Sequence, residues 1–404
     1  MTKPGNVMKG RLIVIVMILF SEGLQAQSRA ITTAVPFLLL APDSRGTALG
    51  TLGAASNPDA FSMHWNPAKY AFSDKRLGVA VSYTPWYWLL IQDYDPLDLS
   101  FGYQAFNLYF KIKDRMAIAT SMVYYSFGDV TFTDEYGNDL GTYNPYEFYN
   151  DISFSYRISE VLSLGMAGRL IYSNLTQGQY VQGAETSAGV SVAMDISTYY
   201  QKTISLGSKE GEIAWGINIS NIGSKMSYSE TAVQKDFIPT NLKAGIGFTT
   251  KFNSSNSLTF LADFNKLLVP TPPVYLRDSL GNPVYDDENN PVISKGMDPN
   301  VSVMRGMIQS WYDAPYGFEE EMKEWSFGIG AEYWLKSIFS ARSGIYYENE
   351  TKGARRYFTT GAGIRLGYFG FDIAILVPFE ETEFKAFNLR SSIMIDIGNR
   401  KKRE

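Results

Sequence analysis

Residues 324–335 read EWSFGIGAEYWL, and this stretch decides the fold class of the chain. Every second residue from Trp325 to Leu335 is apolar, whereas the alternate residues are mostly small or polar. A side-chain period of two is that of a β-strand with two unlike faces. In a soluble sandwich the face exposed to water would be rich in Lys and Glu, but the only charge between Trp325 and Leu335 is Glu332. The stretch therefore predicts a strand whose apolar face contacts something other than water.

The same alternation recurs along the chain after residue 75, in segments that exceed the five or six residues of an ordinary globular strand. We count an even number of such segments, fourteen. The predicted strands are 76–90, 97–112, 115–128, 147–158, 161–174, 186–200, 211–222, 239–252, 257–267, 324–336, 338–349, 355–366, 368–378 and 387–398.

The connections between these strands alternate in length. Those after the second, fourth, eighth, tenth and twelfth strands are tight, and 201–210 after the sixth is of moderate length. The long connections follow odd-numbered strands, and they are 129–146, 175–185, 223–238 and the 56-residue stretch 268–323. Short turns at one end and long loops at the other are typical of bacterial outer-membrane barrels.

The sequence thus predicts an all-β fold, a 14-stranded antiparallel transmembrane β-barrel over 75–398. Lys113, Ser159 and Ser337 are expected to face the periplasm, and 129–146 and 268–323 the cell exterior. Aromatic residues at strand ends fit the girdles of such barrels: they are Trp86, Tyr87, Trp88, Tyr124, Tyr125, Tyr199, Tyr200, Tyr346, Tyr347, Tyr368 and Phe369. The alternative is a large soluble all-β protein of two sandwiches, which would need neither so many long strands nor one-sided loops.

The composition excludes several classes of function. Aromatic residues make up 15% of the chain and charged residues only 19%, against about 25% in an average soluble domain. One histidine and no cysteine remove most transition-metal sites, Cys–His nucleophile pairs and disulfides. The net charge of −5 makes nucleic acid an improbable partner. No catalytic, cofactor or metal site is predicted.

Both chain termini have recognisable features. Residues 1–26 predict a signal peptide, with a basic start, an apolar run over 12–20 and a cleavage site before Gln27. The apolar run is too short for a membrane-spanning helix, which needs about 20 residues. The last strand is followed by 399–404, a basic tail.

Residues 27–74 do not share the strand pattern and are rich in small residues and Gly. A 14-stranded barrel leaves a lumen too wide for its own side chains to fill, so we expect this segment to be an internal plug or hatch. Its candidate hatch residues are Arg45, His64, Trp65, Asn66, Pro67 and Ala68. His64 is the only candidate for a catalytic base, but no Ser or acid stands at an informative spacing, so we expect a hydrogen-bonded hatch residue.

The run from Asp43-Ser44-Arg45-Gly46 through Asp59-Ala60 to Trp65-Asn66-Pro67-Ala68 resembles the start of the FadL-like outer-membrane proteins of Bacteroidetes, and among them most closely the PorV-like (LptO-like) family of type IX secretion. The order of these elements, between a signal peptide and fourteen strands, carries the resemblance.

The resemblance implies a non-enzymatic shuttle in the outer membrane of a Gram-negative bacterium. Its partners would be the C-terminal signal domains of secreted cargo, the outer-membrane translocon, a sortase-like surface attachment complex and outer-membrane lipid including lipopolysaccharide. The main alternative is a FadL-like transporter of hydrophobic compounds, which would share the fold and the hatch. An outer-membrane lipid-modifying enzyme is a more distant third.

Within 268–323 the sequence predicts a short amphipathic helix over 304–312 and two solvated acidic runs, 286–288 and 319–321. We expect no strands in it, and a strand-free connection of this length is usually functional or disordered. Its apolar residues are the candidate partner-binding residues: Met304, Met307, Ile308, Trp311 and Tyr312. The inward-facing charges of the strands have mixed signs, so we expect them to pair with each other or with the hatch rather than to form an ion-selective ring.

Overall fold

The structure is a computed structural model, and it describes residues 30–85, 101–133, 136–181, 184–229, 235–379 and 388–399. The signal peptide 1–26, Gln27, the aromatic residues 86–88 and the tail after Asn399 lie outside the described residues. None of the helices in the described ranges is long and apolar enough to cross a membrane.

Fourteen strands of the described chain form one closed antiparallel barrel. They are β1 Lys75–Thr84, β2 Phe101–Lys113, β3 Met116–Phe127, β4 Tyr146–Arg157, β5 Leu162–Asn174, β6 Gly189–Leu206, β7 Lys209–Gly223, β8 Asn241–Lys251, β9 Ser257–Leu267, β10 Trp325–Leu335, β11 Phe339–Tyr347, β12 Arg356–Leu366, β13 Phe369–Pro378 and β14 Asn388–Asn399. Each strand pairs with its sequence neighbours, and β14 pairs with β1 from Asn399 opposite Lys75 to Ser391 opposite Tyr83. The predicted barrel and its strand number are confirmed.

The two faces of the strands differ as the sequence pattern predicts. On β5 the outward residues Leu164, Met166 and Leu170 are exposed, while the inward residues Ala167 and Arg169 are buried. Apolar side chains that face outward are suited to contact with lipid. Closure of the barrel pairs the backbone groups of the edge strands, for which lipid offers no hydrogen-bond partner.

Two expectations about the connections are wrong. The turn between β6 and β7 is not a moderate loop over 201–210, because the strands continue to Leu206 and Lys209, which pair with each other. Gly207 has φ +67 there, a left-handed conformation that glycine adopts without strain, so a two-residue turn suffices.

The 56-residue connection 268–323 is also not free of strands. It contains a two-stranded sheet of Val274–Tyr275 and Ile293–Lys295. Two helices follow, α3 Val303–Gln309 and α4 Phe318–Lys323. Helices α1 and α2 precede them in the N-terminal segment. Loop 129–146 likewise carries a hairpin of Val130–Thr133 and Asp139–Tyr143.

Residues 30–74 form short helices that contact inward-facing residues of the barrel. These are the 3-10 helices Pro36–Leu39 and Pro67–Phe72 and the α-helices α1 Ser44–Ala48 and α2 Ser62–Trp65. The largest apolar cluster of the described residues lies between this segment and β1 to β6. In it Phe37 packs on Tyr149 at 5.7 Å between ring centroids, and Tyr70 stacks on Tyr109 at 5.0 Å.

Candidate functional site

Arg45 joins the N-terminal segment to strand β10 of the barrel wall. Its Nε and one terminal nitrogen donate to the two oxygens of Glu332 at 2.9 and 2.8 Å, and the other terminal nitrogen reaches Asp59 Oδ2 at 2.9 Å. Glu332 also accepts from Arg342 Nε at 2.7 Å, and Arg342 in turn donates to Asp372 at 2.7 Å. Bidentate and buried pairing of this kind fixes both position and orientation.

Two other candidate hatch residues, Asn66 and Ala68, bind the segment to β5 and β6. Asn66 Nδ2 donates to the carbonyls of Ala54 and Thr198 at 3.0 and 2.9 Å. The backbone N–H of Ala68 donates to Ser197 Oγ at 3.1 Å, and Ser163 Oγ donates to the Ala68 carbonyl at 2.8 Å.

Trp65 and Pro67 act within the segment. Trp65 Nε1 donates to Asp43 Oδ1 at 2.7 Å, and Asp43 caps α1 by accepting from the Gly46 N–H. Pro67 begins the 3-10 helix Pro67–Phe72, where its missing N–H costs nothing.

His64 is not hydrogen-bonded to any of the described residues, so that expectation is wrong. Its ring packs edge-on against Trp65, with the ring centroids 4.8 Å apart. Burial lowers the pKa of His64 well below its usual range, and the nearby cations Lys243, Arg169 and Arg390 lower it further.

The acidic run 319–321 is not solvated as predicted. Glu320 and Glu321 are buried and only Glu319 is exposed. Lys266 Nζ lies 2.6 Å from Glu324 and 3.1 Å from Glu321, and Lys352 Nζ lies 2.9 Å from both Glu320 and Glu324. Because these two lysines come from the end of β9 and from the β11–β12 connection, the pairs fasten α4 to the barrel. The run 286–288, in contrast, is exposed as expected.

Helix α3 covers only part of the predicted span and presents its apolar residues outward. Gly306 packs on Phe237 and Pro270, too closely for a larger residue. Four of the candidate partner-binding residues are exposed and Met307 is half-buried. Sequence reasoning missed the exposed apolar residues between α3 and the end of α4, which are Tyr316, Phe318 and Met322, and of these Phe318 is 79% exposed. Phe318 and Met322 could have been found from the sequence, because their spacing of four residues places them on one face of α4, opposite the buried glutamates.

We call the exposed apolar residues between 303 and 323 the loop patch. It consists of Met304, Ile308, Trp311, Tyr312, Tyr316, Phe318 and Met322. Trp311 is oriented by an edge-to-face contact with Trp325 at the start of β10, with the ring centroids 5.9 Å apart. Lys323 and Glu319 form an exposed ion pair beside it.

A family model described as "Type IX secretion system protein PorV" matches residues 23–274, which is more than half of the 404 residues. No curated protein matches the chain significantly.

Among solved structures, the Ralstonia pickettii toluene transporter TbuX is similar at 13% identity and a TM-score of 0.46, over 93% of this chain and 100% of that one. The Pseudomonas putida toluene transporter TodX is 12% identical with a TM-score of 0.48, over 86% and 95%. A Pseudomonas aeruginosa FadL homologue is 12% identical with a TM-score of 0.43, over 92% and 100%. Similarities this weak do not assign a ligand or a function to this chain.

Proposed function

Because the chain belongs to the PorV family and is therefore an outer-membrane component of type IX secretion in a Gram-negative bacterium, we propose that it is a non-enzymatic shuttle for secreted proteins. It binds the C-terminal signal domain of cargo at the translocon and delivers it to a sortase-like attachment complex on the surface of a Bacteroidetes cell. The observation that carries this proposal is the loop patch.

The loop patch has the composition of a protein-binding surface. Aromatic side chains and methionine are enriched at the centres of protein interfaces, and a few of them supply most of the binding free energy. Trp311, Tyr312 and Phe318 are between about half and four-fifths exposed in the chain alone. Seven exposed apolar side chains within 21 residues of one connection are the kind of surface that marks an interaction site.

The loop that carries the patch is held in place before any partner arrives. The pairs of Lys266 and Lys352 with three glutamates join α4 to β9 and to the β11–β12 connection. Ordering a loop in advance removes part of the entropy cost of binding. A preordered apolar docking surface therefore binds each partner at a lower entropy cost.

A double variant, Trp311→Ala with Phe318→Ala, tests the proposal. Each truncation is expected to weaken partner binding by about 2 kcal/mol, as for an aromatic residue at the centre of an interface. Cells that carry the variant should insert the barrel normally, but cargo should accumulate in the periplasm or appear unanchored in the medium. Quantitative immunoblots of the periplasm, the surface and the medium give the readout.

The matched control neutralises exposed acids in the same connection, Asp286→Asn, Asp287→Asn and Glu288→Gln. Exposed rim charges chiefly change association rates, so secretion should stay near normal. Normal anchoring of cargo in the aromatic double variant, together with failed uptake of long-chain fatty acids, would favour the transporter instead.

The N-terminal segment is proposed to close the lumen. Its contacts with β5, β6, β10, β12 and β14 support this role, since they come from strands around the whole barrel. A transporter of hydrophobic compounds would need an apolar path through the same space. The internal cavity beside the segment is instead lined by several charged residues, which does not favour that alternative.

A further inference from the structure

The long connection before β10 packs against the outward face of the barrel wall. On β9 and β10, Phe264 stands opposite Phe327, and both side chains are exposed on the apolar outer face. Two residues further along, Lys266 stands opposite Trp325. Side chains alternate between the two faces of a strand, so Lys266 and Trp325 also point outward. Asn265, which precedes Lys266, points inward and lines the interior cavity.

Two parts of this connection cover these outward residues. The carboxylates of Glu321 in α4 and of Glu324, which follows α4, lie 3.1 and 2.6 Å from Lys266 Nζ. Lys266 is therefore only 1% exposed although it points away from the lumen. Trp311 makes its edge-to-face contact with Trp325 from the end of α3. The connection thus lies on the outer side of the barrel rim at β9 and β10.

The exposed apolar face of α3 is on this outer side. Met304, Ile308 and Trp311 are spaced by four and three residues, which places them on one face of the helix and of the turn that follows it. In that turn the Trp311 N–H donates to the Ile308 carbonyl at 3.4 Å. Met304 and Ile308 are each 62% exposed, whereas Gly306 on the opposite face is buried. Because Trp311 contacts the outward-facing Trp325, this apolar face lies beside the lipid-facing wall.

The aromatic rings of the outer face indicate how far the lipid extends toward this end of the barrel. Phe327 stacks on Tyr347 with the ring centroids 5.0 Å apart, and Phe148 stacks on Tyr172 at 5.2 Å. Outward aromatic rings near strand ends lie at the boundary between acyl chains and head groups. Trp325 is two residues beyond Phe327, at most about 7 Å at ~3.4 Å per residue, and a head-group layer is about 5–7 Å thick. The face of α3 next to Trp325 is therefore at the level of the head groups.

We propose that the face of α3 formed by Met304, Ile308 and Trp311 inserts into the head-group layer of the adjacent lipid leaflet. The lipid-facing surface of the wall continues through Trp325 onto this face, so one occupant, lipid, covers both. Helices that lie on a membrane combine an apolar face with basic residues beside it. Arg305 follows Met304 and is exposed, which suits contact with the phosphate groups of lipids.

This inference goes beyond the proposed function, because it describes the protein in its membrane before any cargo arrives. The other exposed residues of the loop patch are left for cargo, and Trp311, which is about half exposed, borders both surfaces. Cargo bound to the rest of the patch is therefore held beside the lipid surface.

Fluorescence of Trp311 tests the proposal, because this residue belongs to the face itself. The purified protein is reconstituted in phosphatidylcholine vesicles, and the signal of Trp311 is its emission minus that of the Trp311→Phe variant. Quenching is measured with a nitroxide on the lipid head group and, separately, with iodide on both sides of the vesicle. We expect the nitroxide to remove most of the Trp311 signal and iodide to remove little. Quenching by iodide that equals or exceeds quenching by the nitroxide would overturn the proposal.

Ile308→Asp places a charge on the proposed lipid face, which is disfavoured in lipid. In this variant the Trp311 signal, again taken by difference, should lose nitroxide quenching and gain iodide quenching. Leu280→Asp is the matched control, because Leu280 is 84% exposed outside both helices and its replacement should leave the quenching unchanged. Protease resistance of the connection shows whether α3 stays folded, and Met304→Asp replaces Ile308→Asp if it does not.

Unchanged quenching in a folded variant with a charge on this face would also overturn the proposal. The vesicles contain no cargo, so failure of the lipid contact leaves the shuttle role standing. Failure of the secretion experiments on the loop patch likewise leaves the lipid contact standing.

Discussion

Several glycines on the inner face of the barrel lie directly against the N-terminal segment. Gly330 and Gly344 face each other across β10 and β11, and a Cβ on either would overlap the backbone of Leu49. The sequence showed that this face was small and sparsely charged. It could not show the cause, because Leu49 lies nearly 300 residues away from its contacts.

Gly344→Val is expected to displace the N-terminal segment. Overpacking of this kind typically costs about 1–3 kcal/mol, and the barrel should leak small solutes if the segment closes the lumen. Gly168→Val is the matched control, since a Cβ at that glycine meets no atom within 4 Å. Conductance in planar bilayers and thermal unfolding provide the measurements. Unchanged values for Gly344→Val would refute the closing role of the segment.

Arg45 shows the limit of residue-level prediction. Its place among the candidate hatch residues came from its position in the segment 27–74, but its partner Glu332 was recognisable only as an isolated charge in a strand.

Among the structural elements, the strands could be predicted from the sequence, but the ion pairs that hold the connection 268–323 could not. Alternation is a local pattern, so every predicted strand overlaps an observed one. The buried state of Glu320 and Glu321 depends on Lys266 and Lys352, which precede and follow them by tens of residues. A run of three glutamates looks the same in the sequence whether the side chains are exposed to water or buried against lysines.

The long connection contains one carboxyl that should make its stability depend on pH. Asp313 is 1% exposed, and its Oδ1 has no partner among the described residues. Burial raises the pKa of Asp313 to about 6 from 3.8. The folded loop therefore binds this proton more tightly than the unfolded chain does, and it gains stability as the pH falls through 6 toward 4.

We expect proteases to cut 268–323 faster at pH 8 than at pH 5, after normalisation to an unfolded substrate. The free energy involved is at most about 3 kcal/mol. Asp313→Asn imitates the protonated carboxyl and should remove most of the dependence, whereas Asp286→Asn at an exposed site should keep it. Glu324, whose pKa is lowered by Lys266 despite its burial, loses its contribution only below about pH 4.5. An equal slope in the Asp313→Asn variant would show that another group titrates.

For the whole molecule, the distribution of loops defines an orientation in the membrane. The short turns lie at one end of the barrel and the long connections at the other. The predicted orientation places Ser337 in the periplasm and Asp287 outside the cell. Since the chain has no cysteine, one introduced thiol reports on one position.

Labelling of intact cells with a membrane-impermeant maleimide checks this orientation. Asp287→Cys should react and Ser337→Cys should not until the outer membrane is permeabilised. Both positions are exposed in the folded protein, so a difference in reactivity reports the side of the membrane. Reaction at Ser337→Cys with silence at Asp287→Cys would reverse the topology and place the loop patch in the periplasm.

The shuttle role is the central claim, and co-purification from the native outer membrane tests it most directly. The tagged protein is extracted in mild detergent, and the retained proteins are quantified by mass spectrometry for the unchanged chain and for the Trp311→Ala, Phe318→Ala double variant. We predict that the unchanged chain retains many secreted proteins that share a C-terminal domain, and that the double variant loses most of them while its barrel stays folded. Retention of little protein by the unchanged chain, or of the same cargo by both, would contradict the claim.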